Sequence, residues 1–414
     1  MPKPAPVWSQ FSRARTRAAW AALLALLLAA CASVPRGEVP TLAPAITPTV
    51  SPPPATTLPT ALEAPPIPAA TTAPAGTTPA TLVPASPATV EATASPPPTI
   101  RLLFTGDINP GRCPAQRARR AGDFTQPDHR VAERLRAADL TIGSLDGSIS
   151  DLSAPSPCPQ TMNLIGPART VEGLVYAGFD VITVATNHSK DCGARGWNCD
   201  DGAFRDTLQH LGAAGLRPVG GGQTLAEALE PVIVEVQGVR FAFIGVTSVG
   251  METWARDGRP GTAPLSDAAL PHVAAAIGAA RAEADVVIVL AQWGVEYAAL
   301  PAADQWRWAP LLVGAGADLV IGNHPHVVEP VEVFPARDGV RGGVVAYALG
   351  NFVFDQGPWE TRQGVVFEAV FTGASLASWQ LLPIHIYSLH QPDWAVGEEA
   401  EAILQRAQAA LPER

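Results

Sequence analysis

A chain of 414 residues that is 47% apolar and 16% charged holds enough hydrophobic material for one large core. Its formal net charge of -10 argues against a nucleic-acid binder, which needs a basic face to neutralise phosphates. Local basic patches for an anionic ligand stay compatible with that charge.

The amino terminus reads as a targeting segment. Lys3, Arg13, Arg15 and Arg17 precede an apolar stretch, Ala18 to Ala30, that is too short to span a bilayer as a mature helix. Residues 1–30 are therefore expected to be a lipoprotein signal peptide, because Leu28-Ala29-Ala30-Cys31 resembles the bacterial lipobox. Cleavage there makes Cys31 a lipid-bearing terminus and holds the chain on the extracytoplasmic face of the bacterial cell membrane. The alternative is an ordinary secretory signal with an incidental cysteine. Residues 31–99 follow as Pro, Thr, Ala and Ser, with 18 of the 42 prolines between Ala32 and Ile100. Few aromatic side chains are present to form a core, so a disordered, extended tether is expected, with a reach of roughly 200 Å at about 3.1 Å per residue.

From Ile100 the pattern alternates. Apolar runs predict strands at Ile100 to Thr105, Leu140 to Leu145 and Val181 to Ala185, separated by helices at Val131 to Ala137 and Val171 to Ala177. A helix from Ala203 to Leu211 follows, then a hairpin of Val232 to Val236 and Arg240 to Val246 about Gln237-Gly238. Helix Ala268 to Ala284, strand Val286 to Ala291, helix Trp306 to Val313 and strand Leu319 to Ile321 continue the series. The strands after Val327, Val344, Val365 and Trp379 look antiparallel. The expected fold is α/β: an αββα sandwich of two mixed sheets flanked by helices, built from residues 100–395, with residues 396–414 a C-terminal helix or tail.

Several apolar runs break off into acid-base or metal-competent side chains: Asp107, Asp146, Asn187-His188, Gln292 and His324-Pro325-His326. The mouths of parallel strands are where open α/β sheets bind ligands. Carboxylates at Asp107 and Asp146, imidazoles at His324 and His326 and a carbonyl at Asn187 suit manganese, iron or zinc better than calcium. Each residue also has a plainer role. Gly106-Asp107 can be a turn, Asn187-His188 a loop cap, Arg112 a surface ion pair, Gln292 and Asn351 buried amides, and Trp293 and Tyr297 walls. His324 and His326, two residues apart, would point the same way from an extended backbone, and Asn109 could add an oxygen near Asp107.

Besides Cys31 there are Cys113, Cys158, Cys192 and Cys199. An exported chain meets an oxidising compartment, and four cysteines allow three pairings. Cys192 with Cys199 and Cys113 with Cys158 are favoured, closing loops after the early strands; a cysteine metal site is the rival.

Taken together, Gly106-Asp107 with Arg112, Ser144-Leu145-Asp146-Gly147, Gly178-Phe179-Asp180 with Thr186-Asn187-His188, Gln292-Trp293-Gly294-Val295-Glu296-Tyr297, Gly322-Asn323-His324-Pro325-His326-Val327 and Tyr347-Ala348-Leu349-Gly350-Asn351-Phe352 resemble the ordered motifs of the capsule-synthesis CapA family. The resemblance covers about residues 100–390. That family is similar to the calcineurin-like metallophosphoesterases, whose αββα fold holds two metal ions at strand ends. The resemblance implies one or two divalent transition-metal ions (Mn, Fe or Zn) held by Asp107, Asp146, Asn187, Gln292, His324 and His326. It implies His188 and Arg112 as catalytic groups, and Arg112, Glu296 and Asn351 as substrate contacts. The implied activity is that of a hydrolase or transferase on an anionic envelope polymer or precursor such as poly-γ-glutamate, working with capsule-synthesis machinery at the membrane. A polymer-binding or assembly component without turnover is the second reading. The chain departs from the family at Ser144, Asp146, Gln292 and Asn323, where Asn, Glu, His and His are usual. A neutral amide at Gln292 binds these metals more weakly than imidazole, so one of the two positions is expected to be weak.

Overall fold

Alternate residues of the first long strand belong to different layers. Ile100, Leu102 and Phe104 pack with Phe241, Phe243, Ile288 and Leu290, whereas Leu103 packs with Val131, Leu135 and Leu174. A period of two places successive side chains on opposite faces, so a strand buried on both faces reads as a continuous apolar run. The computed structural model describes residues 96–158, 162–193, 199–337 and 341–411. The expected signal peptide, Cys31 and nearly all of the tether lie outside the described residues. No helix among the described residues is long and apolar enough to cross a membrane.

In chain order the first strands are β1 (Thr99–Ile108), β2 (Leu140–Leu145), β3 (Ser148–Ile149), β4 (Ile165–Gly166), β5 (Val181–Thr183), β6 (Arg217–Val219) and β7 (Gly221–Gly222). Next come β8 (Val232–Val236), β9 (Val239–Thr247), β10 (Gly261–Thr262), β11 (Val286–Gln292), β12 (Leu319–Asn323), β13 (Val331–Phe334) and β14 (Gly343–Ala346). The last are β15 (Asn351–Val353), β16 (Gln363–Thr372), β17 (Ser375–Tyr387) and β18 (Gln391–Trp394). One sheet has the order β18-β17-β16-β1-β2-β5-β6, with β15 joined to the end of β1. Its strands β1, β2, β5 and β6 are parallel, and β16 to β18 extend it antiparallel. The other sheet has the order β13-β14-β12-β11-β9-β8, parallel in its four central strands and antiparallel at both edges.

The two sheets face each other through the layer that holds Phe104, Phe243, Ile288 and Phe367. Helices Ala132–Arg136, Val171–Ala177 and Gly202–Ala213 cover the outer face of the first sheet with Leu135, Leu174 and Phe204. Helices Leu270–Glu283 and Ala303–Ala315 cover the second with Val273, Ile277 and Leu312. This is the αββα sandwich of two mixed sheets that the sequence predicts, and it brings the C-terminal ends of β1, β2, β11 and β12 to one rim.

Three elements differ from the sequence reading. β5 stops at Thr183, because the chain turns where Thr186 N donates to Val184 O at 2.9 Å. β14 is antiparallel to β13 but parallel to β12, since the hairpin with β13 reverses the chain first. Helix Arg112–Ala121 is additional; its buried face is only Cys113, Pro114, Ala115 and Ala118, too small to show as an apolar period. Of the helix or tail expected for residues 396–414, the chain forms the helix Gly397–Ala407.

Asp128 is a buried carboxyl whose Oδ1 has no hydrogen-bond partner among the described residues, and burial pushes it up to about 8. The folded chain therefore keeps a proton that the unfolded chain releases above about pH 4, so this group's contribution to stability falls as pH rises from about 4 to about 8. Asp128→Asn is expected to flatten that slope and to stabilise the protein by on the order of 2 kcal/mol near pH 8. Urea denaturation at about pH 5 and about pH 8 checks this; an unchanged slope contradicts it.

Candidate metal centre

The first sheet delivers its site residues through a close backbone crossing. A Cβ on Gly106 would overlap the Gly350 carbonyl, so only glycine lets β1 lie against the chain entering β15. That contact sets Asp107 opposite both Asn351 and Ser144. Asp107 has no exposed surface; it accepts from Ser144 Oγ at 3.0 Å and from the backbone N–H of His324 at 3.1 Å. Asp146 follows β2 directly, is equally buried, and accepts from Gln292 Nε2 at 3.5 Å.

The second sheet supplies the imidazoles. Gln292 and Asn323 are paired neighbours at the ends of β11 and β12, and the turn beyond carries His324 and His326 at φ 98° and 59°. Non-glycine residues in this region are strained and cluster at functional sites; Arg112 and Tyr297, at φ 43° and 65°, belong to the same rim. His326 Nδ1 lies 2.9 Å from Asn351 Oδ1 and 3.6 Å from Asp107 Oδ2. Ligand-type atoms of Asp107, Asp146 and His326 fall within 4.8 Å of one another, and so do those of Glu296, His324 and His326.

The electrostatics suit a cation. Burial and the neighbouring Asp146 push Asp107 well above the carboxylate range, and burial raises Asp146 to about 6. Burial, with His188 nearby, depresses His324 to about 4; burial, with His324 beside it, depresses His326 to about 3. Both imidazoles are thus neutral and keep a lone pair, as a metal ligand must. Asp146 Oδ2, Asn187 Oδ1 and His324 Nδ1 are buried and have no hydrogen-bond partner among the described residues. Buried polar atoms are almost always paired, and orphans of this donor type fit a divalent transition metal.

His188 stands in the loop after β5. Its Nδ1 is 2.6 Å from Asp191 Oδ2, which also accepts the Leu164 N–H at 2.6 Å. Burial opposes a charge on this imidazole, but Asp146 and Asp191 outweigh it and lift it to about 9. The structure bonds Cys192 to Cys199 just beyond this loop, and Cys113 to Cys158 beside Arg112, with Cα separations of 5.8 and 4.4 Å.

Three of the expected site residues are engaged by other side chains. Arg112 does not present a free fork, because its Nε donates to Asp355 Oδ2 at 3.2 Å and its second nitrogen pairs with Asp355 Oδ1. Asn351 holds His326, and its amide donates to Gln356 Oε1 at 2.9 Å and Thr361 O at 2.8 Å. Gln292 turns its amide nitrogen, not its carbonyl, toward Asp146. Asn109 lies near, donating to Asp355 Oδ1 at 3.1 Å. Asp191, Asp355 and Gln356 were not picked out from the sequence. Asp191 sits three residues after His188, a spacing that could have suggested the pair; Asp355 has no such local signal.

Comparison with known proteins shows the family of the chain. The chain is 29% identical over 291 residues to the capsule biosynthesis protein CapA of Bacillus anthracis, covering 69% of this chain and 67% of that one. It is 31% identical over 286 residues to the PGA biosynthesis protein CapA of Bacillus subtilis, covering 69% and 71%. A putative 5'-nucleotidase from Staphylococcus aureus, solved with alpha-ketoglutarate, is a remote structural likeness at 14% identity and a TM-score of 0.41, covering 75% of this chain and 58% of that one. Residues 101–356 match the model of the bacterial capsule synthesis protein family PGA_cap. With that match spanning every strand end of the site, the chain belongs to the PGA_cap family of bacterial capsule synthesis proteins.

Proposed function

We propose that this protein is a metal-dependent hydrolase or transferase acting on an anionic envelope polymer, of the poly-γ-glutamate kind, or on its precursor. The observation that carries the reading is the cluster of Asp107, Asp146 and His326, whose ligand atoms lie within 4.8 Å of one another, with Asp146 Oδ2 buried and without a hydrogen-bond partner among the described residues. The names of the Bacillus relatives support the polymer class. Lipid anchoring through Cys31, with residues 31–99 as a spacer, would put the site on the extracytoplasmic face, in reach of capsule machinery.

Asp107, Asp146, Asn187, His324 and His326 would hold the ion, with Gln292 beside them. When bound, a divalent transition metal supplies a Lewis acid and lowers the pKa of coordinated water. The protein's own part is positioning and proton handling. Asp191 fixes His188 through Nδ1 and leaves Nε2 as the nitrogen that can pass a proton to a leaving group. Asn351 fixes the His326 ring, and the positive charge of Arg112, held in place by Asp355, acts on Asp146 and His188.

His188→Ala is expected to lower turnover of phosphodiester or γ-glutamyl substrates by about 100-fold or more while metal content stays, whereas Asp107→Ala loses the metal. Metal analysis of purified protein alongside the assay checks both; wild-type activity in either variant contradicts the assignment. Cys31→Ala is expected to release the protein from the membrane fraction, and a variant that stays membrane-bound contradicts lipid anchoring.

A further inference from the structure

The Gln292 side chain is a poor metal ligand in this setting. Its amide nitrogen faces Asp146 at 3.5 Å, so it serves that carboxylate as a hydrogen-bond donor. Four residues along the same loop, Glu296 sets a carboxylate oxygen within 4.8 Å of ring nitrogens of both His324 and His326. Two backbone bonds fasten the loop to the histidine turn: Trp293 N donates to Asn323 O at 3.1 Å, and Tyr297 N donates to Pro325 O at 2.8 Å. Tyr297, at φ 65°, has its ring centroid 6.2 Å from that of His326, so the residue after Glu296 is anchored against the same imidazole. His324 Nδ1 has no hydrogen-bond partner among the described residues.

We infer that Glu296, His324 and His326 form a metal position of their own, in which Glu296 takes the part that the sequence pattern gives to Gln292. One carboxylate with two imidazoles is a donor set that zinc, iron and manganese accept with a position left open. The Asp107, Asp146 and His326 group lies alongside, and His326 is common to both. One ring nitrogen serves one ion, so when both positions fill, His326 goes to the aspartates and Glu296 with His324 retains the second ion. The expected loss of a second metal at Gln292 is thereby compensated from the next turn of chain. Glu296 is partly exposed, so the second ion faces the solvent side of the site, where a substrate arrives.

This inference rests on the metal-dependent reading, and titration of the full chain with Mn2+ or Zn2+ against a chromophoric chelator separates the two. Glu296→Gln is expected to weaken binding of one equivalent about tenfold or more, Glu296→Asp to restore part of it, and Gln292→Ala to leave it within about threefold. Thermal unfolding of the metal-free variants should match that of metal-free wild type, since Glu296 is not a core residue. Wild-type affinity in Glu296→Gln, or weakening only in Gln292→Ala, overturns the assignment of Glu296 while leaving the metal reading intact. A wild-type chain that binds neither ion overturns both.

Discussion

The two sheets meet at a carboxylate that water does not reach. Asp107 is fully buried at the end of β1, is bonded from its own sheet by Ser144, and is bonded from the other sheet by the backbone N–H of His324. Removing a carboxylate from water costs several kcal/mol unless charge or hydrogen bonds replace the solvent, and two polar hydrogens replace only part of it. Asp146, buried beside it, adds repulsion. A divalent cation would cancel both penalties together, and the neutral imidazoles and unpartnered polar atoms at this rim fit one.

What surrounds the centre is arranged to hold it still. His188 is gripped by Asp191, and that carboxylate is itself tied to the Leu164 N–H, so the loop after β5 is locked to the chain leading into β4. The two disulfides close the loops next to Arg112 and His188. Asp355 accepts from Arg112, from Asn109 and from the backbone N–H of Cys113, fastening the start of helix Arg112–Ala121 to the segment after β15. Rigid support of this kind lets strained turns at His324 and His326 persist, because the surrounding bonds over-determine them.

Much of this was legible in the sequence for a physical reason. Strands such as Val286–Gln292 are buried on both faces and so appear as unbroken apolar runs, and the polar residue ending each run marks the strand mouth. The hairpin at Gln237-Gly238 was legible from its turn chemistry, both residues having positive φ. Helix Arg112–Ala121 was not, because it buries small residues and shows arginines outward. The engagement of Arg112 was hidden as well: Asp355 is 243 residues away, and no local pattern announces such a partner. The direction of β14 depended on a preceding hairpin that breaks the strand-helix alternation.

The convergence of the two sheets on one ion-binding rim is tested most directly by anomalous scattering from crystals of the full chain grown with manganese or zinc. The account requires a peak within coordination distance of Asp107, Asp146 and the His324–His326 turn. Crystals of an otherwise identical fold that show no peak there, or a peak only at surface carboxylates, would contradict it.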